Sequence, residues 1–253
     1  MLSNRPSRRE SAVRNKVVVV TGASRGIGRA VANRFAREGA AIALVARNED
    51  LLNSLANEIR GAGGTGAVFP CDIGHAGDVK SMIGQVGETL GPVDVLVNNA
   101  AIFLLHSIAD TTVDEWEEVM RTNVLGTFLC CRAVLPSMMR RKMGRIVNIS
   151  STAGRRGYPE QGVYCASKHA LNGFSKVLAL EAQPHNIRVH VVSPGGVLTD
   201  LSAGLRESRG NVDESEWMTA EEVADAVYYV ASQDGAAFTD ELSLRRFVSE
   251  PWR

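Results

Sequence analysis

The chain has 253 residues, 45% of them hydrophobic, and 28 Lys and Arg balance 28 Asp and Glu. This length buries one large core without a second domain, and the even charge supplies no general attraction for nucleic acid or an anionic membrane. No apolar run approaches the roughly 20 residues of a membrane span.

The first 15 residues, with Arg5, Arg8, Arg9 and Arg14 among small polar side chains, read as a solvated, mobile arm. A transit peptide is the alternative, and the apolar core of a secretory signal is missing. From Lys16 onward short β-rich runs alternate with helical periodicity. Strands are expected at 17–21, 41–46, 67–71, 93–97, 145–150, 188–192 and 241–245, and helices at 27–38, 49–60, 78–90, 113–141, 163–182 and 220–231. Gly39, Gly61 and Gly91 follow three of these helices, where a residue tolerant of positive φ is useful. The polar stretch 202–216 reads as a mobile insertion. The strands are continuous apolar runs such as VVVV and VDVLV, which suits a sheet covered on both faces. The expected fold is therefore α/β: one doubly wound Rossmann domain over 16–253, with a seven-stranded, mostly parallel sheet and helices on both faces.

The first strand runs directly into TGASRGIG, 21–28, and then into a helix. In that context Gly22 permits a tight turn, Gly26 lets backbone approach a pyrophosphate, and Gly28 allows close helix–strand packing. Ser24 adds a hydroxyl donor, and the helix N-terminus offers unpaired N–H groups to an anion. At the end of the second strand, where an acid would hold a ribose 2′-hydroxyl, the sequence reads Ala46-Arg47. Arg47 and Arg25 suit a 2′-phosphate, which favours NADP(H) over NAD(H); the alternative is two solvated surface arginines. Asp72, just after the third strand, is a candidate adenine contact or a helix cap.

Tyr164 and Lys168 lie four apart on one helix and project from one face. An ammonium beside a phenol draws its pKa down from about 10 toward working pH, so Lys168 is expected to activate Tyr164. Cys71, Cys130, Cys131 and Cys165 lack zinc spacing and read as packing residues, and the five histidines form no HxxxH pair. No metal is expected.

The ordered set TGASRGIG, Asp72, NNA at 98–100, Asn123, Ser151, YCASK at 164–168 and Pro194-Gly195 resembles the short-chain dehydrogenase/reductases, including 3-oxoacyl-acyl-carrier-protein reductases, over nearly all of 16–199. The resemblance implies that Tyr164 is the acid/base, Lys168 also holds the nicotinamide ribose, Ser151 binds the substrate oxygen and Asn123 supports a proton-relay water. It also places Ile27, Ile73, Asn99, Val197 and Thr199 in the cofactor pocket, and spacing to the tyrosine selects Ser151 over Ser150. It implies NADP(H)-dependent interconversion of a ketone or 3-oxoacyl thioester and an alcohol, in a homo-tetramer or homo-dimer formed through the helices at 113–141 and 163–182; the sparse cysteines favour a reducing, cytoplasmic location. A regulatory NADP(H) sensor and a non-redox elimination or epimerisation enzyme are the alternatives.

The chain departs from the family at Ala101, where many members have glycine, and in its C-terminal FTDELSLRRFVSEPWR. After Thr199 a short lid is expected, anchored by Leu201, Leu205 and Trp217. Arg206 and Arg209 there read as anion contacts or as solvated loop arginines. Arg140-Arg141-Lys142 reads as an acyl-carrier patch or, more simply, as cations favoured at a helix C-terminus.

Overall fold

The computed structural model describes residues 12–208, 210 and 213–251. Residues 1–11 and Arg209 lie outside them. Seven strands, β1 (Val17–Thr21), β2 (Ala41–Ala46), β3 (Thr65–Pro70), β4 (Val95–Asn98), β5 (Gly144–Ile149), β6 (Ile187–Pro194) and β7 (Glu241–Leu244), form one sheet in the order β3-β2-β1-β4-β5-β6-β7. All six neighbouring pairs are parallel, so the expected "mostly parallel" sheet is wholly so among the described residues.

Helices cover both faces, which is why the strand interiors carry apolar side chains on both sides. On one face α1 (Gly26–Arg37) and α2 (Glu49–Gly61) bury Val31, Phe35, Leu52 and Leu55 against β1 and β2, and α8 (Ala220–Ala231) buries Val223 and Val227 against α1, β5 and β6. On the other, α3 (Ala76–Thr89), α5 (Thr127–Arg141) and α6 (Gly162–Ala182) bury Val79, Met82, Leu129, Val134 and Leu178 against Val19, Leu96 and Ile146. Each such side chain contributes roughly 1.5–3 kcal/mol on leaving water.

Four features differ from expectation. Val13 is 0% exposed and belongs to the core, and Asn15 N–H donates to the Gly39 carbonyl, so these two residues of the segment read as an arm are part of the domain. The single helix 113–141 is instead α4 (Val113–Met120), a π-helical turn (Arg121–Gly126) and α5. The wider turn swings Asn123 toward the loop after β4, which a uniform helix would not do. Gly39 and Gly91 take the left-handed conformation with φ +83° and +104°, but Gly61 is still helical and Gly63 takes that role with φ +83°. In the stretch read as a mobile insertion, α7 (Ala203–Ser208) and a 3-10 turn (Glu214–Glu216) form.

Between β1 and β4 the strand order reverses, and loops from the carboxyl ends of neighbouring strands part to leave a crevice.

Candidate active site

The turn joining β1 to α1 depends on glycine. Gly22 and Gly26 have φ +66° and +53°, and a Cβ on Gly28 would lie 2.2 Å from the Gly22 carbonyl oxygen. Only hydrogen fits there, so α1 starts hard against β1. The loop after β4 is stapled to this turn. Asn99 Nδ2 donates to the Thr21 and Gly22 carbonyls at 3.0 and 3.2 Å, while Asn99 N–H and Ala100 N–H donate to Thr21 Oγ1 at 3.0 and 3.1 Å. Thr21 carries no motif signal beyond a polar residue ending an apolar strand. No side chain caps α1 and no acid occupies its first turn, so its N-terminal N–H groups and positive dipole end are left for an anion.

Gly22, Ser24, Arg25, Gly26, Ile27, Arg47, Asp72, Ile73, Asn99 and Thr199 line one groove over these strand ends. Gly28 lies behind the turn as a packing position. Arg47 is exposed, and Arg25 reaches Asp200 at 3.6 Å with both side chains largely solvated. That surface pair is weak and leaves Arg25 free to turn toward a phosphate. Asp72 is engaged locally: partial burial opposes its ionisation, but the Gly74 N–H at 2.9 Å and Arg121 beside it hold the carboxyl below its ordinary range.

The groove opens into a cavity of about 680 Å³, with Ile27, Asn99, Thr199 and Leu201 on the walls of both. Ser151, Tyr164, Lys168 and Val197 line this cavity. Ser151 caps the 3-10 turn after β5, its Oγ accepting from Ala153 N–H at 3.1 Å, and it is the serine beside the Tyr164 phenol, whose ionisation it eases. That contact distinguishes it from Ser150, whose buried Oγ has no partner among the described residues. Tyr164 and Lys168 stand one turn apart at the start of α6. Phe103, carrying no recognisable signal in the sequence, packs edge-on against the Tyr164 ring at 4.9 Å between centroids.

Burial, relieved in part by Ser151, pushes the Tyr164 phenol up to about 12, and burial alone lowers Lys168 to about 8. The expected lowering of the phenol by Lys168 is absent here. Lys168 Nζ donates to the Ile149 carbonyl at 2.8 Å and sits 5.7 Å from the Tyr164 ring centroid. At neutral pH Tyr164 is therefore a protonated donor.

Asn123 is 1% exposed and does not line the cavity. Its side chain accepts from Ile102 N–H at 2.7 Å and donates to the Ile102 carbonyl at 2.9 Å and to Ser167 Oγ at 3.0 Å; Ser167 in turn donates to the Tyr164 carbonyl at 2.8 Å. Asn123 thus ties the loop after β4 to the turn that carries Tyr164.

The remaining wall comes from Trp217 and from the C-terminal residues Arg245, Arg246, Ser249 and Glu250. Nothing in the sequence pattern had placed that tail over the site. Arg206, read as an anion contact or a solvated loop arginine, is instead occupied with the Thr199 carbonyl and Ser202 Oγ at 3.0 and 2.7 Å. Arg141 is likewise paired with Asp94 at 2.7 Å, which removes one cation from the supposed carrier patch. The four cysteines are buried and free, and no metal-binding group is found among the described residues.

A family model described as short chain dehydrogenase matches residues 16–210. The 3-oxoacyl-[acyl-carrier-protein] reductase of Bos taurus is 38% identical over 85% of this chain and 91% of its own length. A 3beta-hydroxysteroid dehydrogenase of Mediterraneibacter gnavus is 34% identical over 90% of this chain and 92% of its own. Among solved structures, a variant actinorhodin polyketide ketoreductase with NADPH is 34% identical with a TM-score of 0.85, over 94% of this chain and 97% of its own. A metagenomic short-chain oxidoreductase in complex with NADP is 32% identical with a TM-score of 0.82, over 94% of this chain and all of its own. The chain belongs to the short-chain dehydrogenase/reductase family.

Proposed function

We propose that this short-chain dehydrogenase/reductase interconverts a carbonyl and an alcohol with NADP(H), using Tyr164, Ser151 and Lys168 at the reacting end and Asn123 as their positioning residue. The observation that carries the reading is that Ser151, Tyr164 and Lys168 line one cavity continuous with the glycine-turn groove.

The groove suits the cofactor on its own evidence. A Cβ at Gly26 would lie 3.1 Å from the Thr199 side chain, and Gly22 and Gly28 are closed to any side chain, so bare backbone faces the space. Gly22, Ser24, Gly26, Ile27 and the start of α1 would hold the pyrophosphate, with Arg25 and Arg47 on the 2′-phosphate. Asp72 and Ile73 would border the adenine, Asn99 the central part, and Tyr164, Lys168, Val197 and Thr199 the nicotinamide end. When bound, NADPH supplies the hydride for the carbonyl carbon.

Ser151 and Tyr164 orient the carbonyl oxygen by donating to it. As negative charge grows there, both donors strengthen, and Tyr164 releases its proton to the new alkoxide. At neutral pH the phenol therefore carries the proton that this step delivers. Lys168 keeps a positive charge one turn below. Trp217 and the C-terminal tail exclude water from one side.

We also assign a homo-oligomer and a cytoplasmic location. Trp116, Leu125, Phe128, Val177 and Leu180 are exposed apolar side chains on α4, the π turn, α5 and α6, the same helices the resemblance assigns to subunit contact. In support of the location, the four cysteines are free, and among the described residues no helix is long and apolar enough to cross a membrane. Light scattering tests the first and fractionation the second. Turnover of a carbonyl panel with NADPH tests the activity, and a protein that binds NADPH tightly yet turns over nothing would favour a sensor.

A further inference from the structure

We infer that the substrate carries an anionic group, a carboxylate or a phosphate, received by Arg156 and Arg246 at the mouth of the Tyr164 cavity. This rests on the carbonyl-reductase reading for the reacting end and adds a charge requirement at the other.

The chain as a whole is neutral, but the cavity is not. Arg155, Arg156, Lys168, Arg245 and Arg246 line it, against Glu250 as the sole acidic lining residue among the described ones. Glu250 already has an interaction of its own. A concave site with one sign of charge focuses field and selects ligands of the other sign.

These cations have different duties. Lys168 is committed to the Ile149 carbonyl, and Arg155 is matched by Glu241 at 2.7 Å. Arg245 is structural: one guanidinium nitrogen donates to the carbonyls of Arg246, Phe247 and Ser249 at 3.1, 2.9 and 2.8 Å, folding the tail back over the cavity after β7.

That fold sets Arg246 in place. Its guanidinium lies 5.0 Å from the ring centre of Trp217, itself only 4% exposed, and its stem packs beside Gly196, where a Cβ would come within 3.3 Å of Cδ. Among the described residues no carboxylate pairs with it. Arg156 is fixed in a similar manner: Nε donates to the Tyr158 hydroxyl at 2.6 Å, the group lies 4.9 Å from the Tyr158 ring centre, and Tyr158 donates at 3.0 Å to Thr152 Oγ1, beside Ser151. It too lacks a carboxylate among the described residues. Two guanidinium groups pre-ordered on aromatic faces, with hydrogen-bonding edges uncommitted, suit the forked recognition of carboxylate or phosphate.

The test compares matched substrates: levulinate and longer keto acids with their methyl esters, and dihydroxyacetone phosphate with dihydroxyacetone. Rates with NADPH are paired with calorimetric titration of the NADP+ complex by each anion. One charged pair of this type is worth about tenfold or more in affinity. The wild type is expected to prefer the charged member by about that factor, through KM, with the advantage shrinking as salt rises. Arg246→Gln and Arg156→Gln lower that preference, and Arg246→Lys restores part of it. Preference within the keto-acid or the phosphate pair identifies the anion. Equal handling of charged and neutral members in both rate and binding overturns the proposal. So does a loss of NADPH affinity in Arg246→Gln as large as the loss for the anion, because Arg246 would then belong to the cofactor site. Arginine-dependent anion binding without turnover of any carbonyl retains the anion site and rejects the reductase reading instead.

Discussion

The Lys168 ammonium donates to the Ile149 carbonyl at 2.8 Å while standing 5.7 Å from the centre of the Tyr164 ring, so its strongest contact is with the sheet and not with the phenol it serves. Burial lowers its pKa to about 8. The folded value lies below the ordinary lysine value of 10.5, so the charge persists below about 8 and is lost as pH rises through it. Reduction with NADPH is expected to decline across that region. Lys168→Met should cost roughly a hundredfold in rate and remove the decline, as for other acid/base assemblies. A wild-type profile that stays flat into the ordinary lysine range contradicts this role.

Asn123 joins the loop after β4 to the Tyr164 turn through Ile102 and Ser167. Asn123→Ala leaves buried groups unpaired at about 1–3 kcal/mol each. Denaturant unfolding should show a clear drop in stability, and kcat should fall more than KM rises because Tyr164 is misplaced. Full kcat in a destabilised variant would show that the link is structural only.

Arg47 stands where an acid would repel a 2′-phosphate, and Arg25 faces the same groove while paired weakly with Asp200. In Arg47→Asp the ratio of kcat/KM for NADPH to that for NADH should fall by about 10- to 100-fold, from loss of a charge-assisted contact plus repulsion. Arg25→Ala should have a smaller effect. An unchanged ratio in both would leave the two arginines as ordinary surface charges.

His190 is wholly buried in β6, 2.7 Å from the Thr239 carbonyl and stacked on Phe238 at 4.5 Å. Burial lowers its pKa to about 4, from 6.5 when free. Between those values the unfolded chain binds more protons than the folded one, so stability is lost as pH falls from 6.5 toward 4, by up to about 3 kcal/mol. Urea unfolding at neutral pH and at about pH 5 should show this slope in the wild type and a shallower one in His190→Gln. Parallel slopes would assign acid sensitivity elsewhere.

Signals that repeat along the backbone were legible in the sequence. Strands β1 and β2 and helix α8 fall where apolar runs and periodicity put them, and Ser151, Tyr164 and Lys168, named by the resemblance, line one cavity that meets the glycine-turn groove. The π turn was not legible, because one extra residue per turn leaves no mark in composition; only the wedge between Ile102 and Ser167 reveals it. The C-terminal wall was equally hidden. It depends on Arg245 closing on three backbone carbonyls, partners that every residue offers and no pattern distinguishes. Tyr164 acidity lay beyond spacing as well, since desolvation by the surrounding core raises the phenol while Lys168 is turned to the Ile149 carbonyl.

The central claim is tested most directly by NADPH consumption on a carbonyl panel, wild type against Tyr164→Phe, with NADPH binding measured for both. The substitution keeps the ring against Phe103 and removes only the proton donor. The wild type is expected to turn over the carbonyl, the variant to lose about 10²–10⁴-fold, and both to bind the cofactor with similar affinity. Undiminished turnover in Tyr164→Phe would contradict the claim.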